Sequence, residues 1–194
     1  MREMTETAIY LIGYRGTGKT SVGRVLADRM ARRCIDLDRE IETASGQSIC
    51  AIFERGGEAS FRDWESRCLV EVANQTDPCV IALGGGAILR QTNRDLIKST
   101  GVCVWLTADV TTLAARIRAD SGSTETRPAL TDLAFEDEIA AVLADREPLY
   151  RQSADHVVAT QNRSPPQIAQ HILDWYGQGR FSKDASHTPD ENPG

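Results

Sequence analysis

The chain has 194 residues, 41% of them apolar, and a formal net charge of −6. That size suits one domain whose core needs neither disulfides nor a structural metal, and the acidic balance excludes a duplex nucleic-acid binder, which needs clustered excess lysine and arginine. No apolar run approaches the ~20 residues of a membrane span and no signal-peptide core opens the sequence, so a soluble cytoplasmic protein without a membrane partner is expected.

Residues 1–7 are polar and read as a flexible N-terminus. The apolar run Ala8-Ile9-Tyr10-Leu11-Ile12 is a first strand, and Thr20 to Met30 is an amphipathic helix with Val22, Val25, Leu26 and Met30 along one face. Between them stands Gly13-Tyr14-Arg15-Gly16-Thr17-Gly18-Lys19-Thr20, the pattern G-x-x-x-x-G-K-T of a phosphate-binding loop. Its glycines let backbone N–H groups turn inward on an anion, and the helix that begins at Thr20 and Ser21 adds its positive end. Lys19 is then placed to reach the outer phosphates of ATP or GTP, and the Thr20 hydroxyl to ligate Mg²⁺.

A second strand, Cys34-Ile35, runs into Asp36-Leu37-Asp38, two carboxylates at the end of a strand, where α/β sheets bind ligands. Ile41 to Gly46 and Ser48 to Gly57 read as short helices stopped by glycine, with Ser48 as a cap. A longer helix carries Phe61, Trp64, Cys68, Leu69 and Val72 on one stripe, with Arg62 and Glu65 at an i, i+3 spacing beside it. The strand Cys79 to Leu83 leads into Gly84-Gly85-Gly86, where something approaches the backbone closely.

Asn93 to Thr100 is helical, Val102 to Leu106 is a fourth strand, and Asp109 caps a helix bearing Val110, Leu113, Ala114 and Ile117. Asp120 to Pro128 holds no apolar anchor and reads as mobile until something binds. Helix returns from about Asp132 to Arg146, ending before Pro148; His156 to Ala159 is a fifth strand and Pro165 to Tyr176 a last helix. Residues 177–194 form a disordered tail. The five cysteines, Cys34, Cys50, Cys68, Cys79 and Cys103, are odd in number with no C-x-x-C spacing, which fits reduced thiols in the cytoplasm. His156, His171 and His187 lie far apart in sequence, the first two structural or surface residues and the third in the tail. Short apolar strands alternating with helices indicate an α/β domain over residues 8–176, a parallel sheet covered on both faces.

No apolar strand ends in the acidic residue of a usual second nucleotide motif, so Asp36 is the nearest carboxylate for the metal, and the GTPase motif N-K-x-D is absent. Together with the phosphate loop, Asp36-Leu37-Asp38, Gly57-Glu58-Ala59-Ser60-Phe61-Arg62, Leu83-Gly84-Gly85-Gly86-Ala87, Thr126-Arg127-Pro128-Ala129-Leu130 and Arg146-Glu147-Pro148-Leu149-Tyr150 occur in the order and approximate spacing of the shikimate kinases. From about Ala8 to Trp175 the chain resembles that family.

The resemblance implies a three-layer α/β/α phosphate-loop kinase fold of the nucleoside-monophosphate-kinase type, with five parallel strands in the order 2-3-1-4-5 and a mobile lid at about residues 120–130. It implies transfer of the γ-phosphoryl of ATP to the 3-hydroxyl of shikimate, with Mg²⁺ held at Thr20 and Asp36, in a monomer. Arg62 and Arg146 match the arginines that bind the substrate carboxylate, Asp38 the carboxylate that holds the ring hydroxyls and aligns the acceptor, and Gly84, Gly85 and Gly86 the backbone against the ring. Glu65 is expected to orient Arg62. Lys19 and Arg127 would neutralise charge on the transferring group. Arg118 resembles the arginine that stacks on adenine, with Arg116 an alternative at that place, and the loop around Asn162 covers the other face. Ser60 departs from the family pattern, in which an acidic residue often precedes Phe-Arg.

Each of these residues also has a plainer reading. Arg62 could be a solvated partner of Glu58 or Glu65, and Asp36 and Asp38 caps of the helix at Arg39 to Ala44. The triple glycine could be a tight turn, Arg146 a charge on a helix end, and Trp64 and Trp105 core residues. Two other functions compete: a gluconate-type kinase, expected to lack the trio Asp38, Arg62 and Arg146, and a non-catalytic ATP-sensing module, against which the intact Lys19, Thr20, Asp36, Asp38 and Arg127 argue.

Overall fold

A computed structural model describes residues 7–120 and 135–179. Five parallel strands form one sheet in the order β2-β3-β1-β4-β5: β1 is Ala8–Ile12, β2 Cys34–Asp36, β3 Val80–Ala82, β4 Gly101–Thr107 and β5 His156–Ala159. This is the expected order. The central β1 pairs on both sides, Tyr10 lying beside Ile81 of β3 and Cys103 of β4.

Because side chains alternate along a strand, β1 sends Tyr10 and Ile12 to one face and Ile9 and Leu11 to the other. On the first face lie α2 (Leu37–Ser45), α3 (Ile49–Ala73), α4 (Gln91–Thr100) and α6 (Phe135–Ser153), which add Ile41, Phe61, Leu69, Ile97 and Tyr150 to the core. The second face is covered by α1 (Lys19–Arg29) and α7 (Pro165–Gly177), through Val22, Leu26, Ile168 and Ile172. A smaller cluster joins Tyr14 of the phosphate loop to Leu113 and Ile117 of α5 (Val110–Ala119) and Ile139 and Val142 of α6. Trp105 is buried and Trp64 packs against the core from its edge.

Local chemistry sets most boundaries. Ser48 and Asp109 cap α3 and α5 by accepting the backbone N–H of Ala51 and Thr112. Gly57, at φ 65° and ψ −171°, breaks α3 into two segments. One expectation differs from the structure. The helix expected to end before Pro148 runs on to Ser153 with the proline inside it; Pro148 is exposed, while the Tyr150 it precedes is fully buried, so packing outweighs the missing N–H. His156 and His171, distant in sequence, stack with centroids 5.4 Å apart, and His156 lies on Trp175 at 4.5 Å. All five cysteines are free thiols. Among the described residues no helix is long and apolar enough to cross a membrane.

Candidate active site

The phosphate loop connects β1 to α1. Gly13, Gly16 and Gly18 have φ of 139°, 82° and 88°, conformations that only glycine adopts cheaply. Gly18 precedes α1 without a side-chain cap, and no acidic residue occupies the first turn; that helix end is left electropositive, as an anion site requires. Lys19 Nζ spans the loop, donating to the carbonyls of Gly13 at 2.7 Å and Tyr14 at 2.9 Å. A cavity of about 370 Å³ opens above, lined from the loop by Arg15, Gly16, Gly18, Lys19, Thr20 and Ser21. Tyr14 and Thr17 face away, into a second hollow under α6.

Asp36 and Asp38 divide their roles. Asp36 caps α2, accepting the Asp38 N–H at 3.2 Å with one oxygen and the Thr20 hydroxyl at 2.7 Å with the other. Asp38, in the first turn of α2, lines the same cavity with Asp36, Gly84 and Gly85. The hydroxyl and the carboxylate are hard oxygen ligands of the kind Mg²⁺ takes alongside phosphate.

Arg62 and Arg146 converge on the triple glycine from two helices. Arg62, on α3, has a side chain only 11% exposed, held by Glu65 at 2.7 Å and Glu58 at 3.0 Å. Burial works against its charge, but the two carboxylates outweigh that and its pKa is raised. Glu65 is fully buried and orients the fork, as expected, and both recorded ion pairs are made without Ser60. A Cβ on Gly86 would overlap the Arg62 guanidinium, so the fork keeps its present place only because this residue has no side chain. Arg146, on α6, donates to the Gly85 carbonyl at 3.2 Å. The Gly85 oxygen also accepts the Tyr150 hydroxyl.

Of the two arginines considered for adenine, Arg116 lines the cavity and Arg118 does not. Arg116 donates to the Gly16 carbonyl at 3.2 Å, to Thr160 Oγ1 at 3.0 Å and to the Thr160 carbonyl at 2.9 Å. Arg118 points outward to Glu136 at 3.1 Å and over Phe135. Asn162, exposed at φ 58°, sits in the turn between β5 and α7. Arg127 and most of the expected lid lie outside the described residues. Sequence reasoning missed Thr160 and named Tyr150 only within its motif, without a role; the signal for Thr160 was its place directly after a strand, and for Tyr150 its i+4 spacing from Arg146.

A 2-3-1-4-5 parallel sheet, with a glycine loop and helix N-terminus facing carboxylates across one cavity, defines a phosphate-loop nucleotide-binding protein. The family profile described as shikimate kinase matches residues 15–176. The chain belongs to the shikimate kinase family. It is 43% identical over 171 residues to the shikimate kinase of Rhodopirellula baltica, covering 88% of this chain and 91% of that protein. Among solved structures, the shikimate kinase of Acinetobacter baumannii in complex with shikimate matches with a TM-score of 0.84 at 36% identity, over 91% of this chain and 96% of that one. The Bacteroides thetaiotaomicron enzyme matches with a TM-score of 0.78 at 30% identity, covering 88% and 98%.

Proposed function

We propose that the chain transfers the γ-phosphoryl group of ATP to the 3-hydroxyl of shikimate, giving shikimate 3-phosphate and ADP on the route to aromatic amino acids. The observation that carries this reading is the approach of Arg62 to Gly86 and of Arg146 to Gly85, next to the cavity that Gly84 and Gly85 line with Lys19 and Asp38; the two arginines and Gly86 themselves stand outside that lining. Shikimate offers one planar carboxylate and three ring hydroxyls. Guanidinium forks suit the first, and a carboxylate and backbone amides suit the others.

Transfer goes through a loose transition state, so the protein's work is alignment and charge. Asp38 holds the acceptor hydroxyl in line and takes its proton late, while Lys19, bound to two loop carbonyls in the ligand-free chain, turns to the phosphate oxygens. Thr20 and Asp36 fit a magnesium ion, which when bound offsets charge on the β- and γ-phosphates. Arg127 is assigned to the transferring phosphoryl and Arg116 to the nucleotide. The working unit is taken as a cytoplasmic monomer.

The test is ADP release with shikimate, quinate and gluconate as acceptors. Shikimate-dependent release above the acceptor-free blank is expected, and its absence refutes the assignment. In the same assay Asp38→Asn retains ATP binding and loses turnover by a factor on the order of 10² or more.

A further inference from the structure

Tyr150 takes no part in the transfer chemistry above, yet its hydroxyl is buried where three strand ends meet. Its ring stacks on Trp105 of β4 with centroids 5.6 Å apart. Its hydroxyl donates to the Gly85 carbonyl, in the loop after β3. A Cβ on Gly85 would lie 3.4 Å from the carbonyl oxygen of Gly13, after β1. Arg146, one turn earlier on α6, donates to the same Gly85 oxygen at 3.2 Å. Burial pushes the Tyr150 phenol up to about 12, with the Arg146 charge working the other way, so it is a protonated donor at any working pH.

A peptide unit is planar and trans. Donors on the Gly85 oxygen therefore fix the plane of the Gly85–Gly86 amide, and with it the direction of the Gly86 N–H, in the residue against which Arg62 packs. A carbonyl held by Arg146 alone would lose its partner whenever that arginine turned to a substrate carboxylate. The neutral hydroxyl does not turn away. We infer that Tyr150 is a positioning residue: its hydroxyl holds the Gly85 peptide in place while Arg146 is released to the acceptor, and so sets acceptor affinity without touching either substrate. This rests on the reading above in which Arg146 binds the acceptor carboxylate.

Tyr150→Phe keeps the ring and its stack on Trp105, and Arg146 still serves the Gly85 oxygen, so no buried acceptor is orphaned. The KM for shikimate rises about tenfold, the worth of one well-placed hydrogen bond, while the KM for ATP stays within about twofold. In the ligand-free protein, amide hydrogen exchange quickens at Gly85 to Ala87 and is unchanged in β1. An unchanged shikimate KM overturns the inference, as does a parallel rise in both KM values with a lowered unfolding midpoint. If the wild-type chain gives no shikimate-dependent ADP, the assigned reaction falls. Amide exchange then decides alone, and unaltered exchange at Gly85 to Ala87 sinks the positioning role.

Discussion

Gly86 is the residue at which one methyl group acts most directly on the Arg62 fork. In Gly86→Ala the new Cβ falls on the Arg62 guanidinium, the far end of a flexible side chain, so the fork gives way rather than the backbone. It then loses its set against Glu65. The acceptor KM is expected to rise about tenfold or more, since charged hydrogen bonds contribute roughly 1.5–3 kcal/mol each, with little change for ATP. Steady-state kinetics with each substrate varied in turn checks this. Much at this scale was legible: Lys19, Thr20, Asp36, Asp38 and the glycines stand in short motifs whose spacing encodes their geometry. Arg116 and Arg118 were not separable, because two positions apart on one helix turns a side chain by about 200°, and only packing decides which one faces the loop. Asp36 and Asp38 were given separate roles from the sequence, metal support and acceptor alignment, but which of them caps α2 was not legible; the helix begins at Leu37 and makes Asp36 the cap, while both carboxylates line the cavity.

Among the elements, α3 depends most on a single backbone conformation. Gly57, at φ 65° and ψ −171°, lies where L-residues rarely go, yet a Cβ there would meet nothing within 4 Å. The cost of Gly57→Ala is therefore backbone strain alone, about 1–3 kcal/mol, read as a lowered urea midpoint. Acceptor binding should weaken with it, because Arg62 is carried on the segment that Gly57 redirects. The break at Gly57 and the caps Ser48 and Asp109 were readable because each acts within four residues. The end of α6 was not. Pro148 removes one N–H from the ladder, but the burial of Tyr150 and the bond from the Ala154 N–H to the Tyr150 carbonyl at 3.0 Å carry the helix past it. Propensity is a local vote that tertiary contacts override.

At the scale of the molecule, β5 is an edge strand tied to α7 by the stack of His156, His171 and Trp175. Burial lowers the His156 pKa, and the charge of His171 lowers it further. The unfolded chain thus binds this proton more readily than the folded one. The resulting stability is fully present above about pH 6.5, the unfolded value, and fades as pH falls through the lower folded value. The thermal midpoint should drop on acidification just below about pH 6.5, and His156→Phe, which keeps the stack, should flatten that slope. No local pattern announces such a pairing, since it joins residues fifteen positions apart on two different elements. The strand order, by contrast, came with the family resemblance as a whole. One contact reaches furthest: the turns after β1 and β3 abut backbone to backbone, Gly85 against the Gly13 carbonyl, with no side chain between them. On the proposed reading this backbone is the floor beneath both substrates and has no side chain there to trim, so variants that accept bulkier alcohols are expected to gain room from the flank where Arg62 and Arg146 stand.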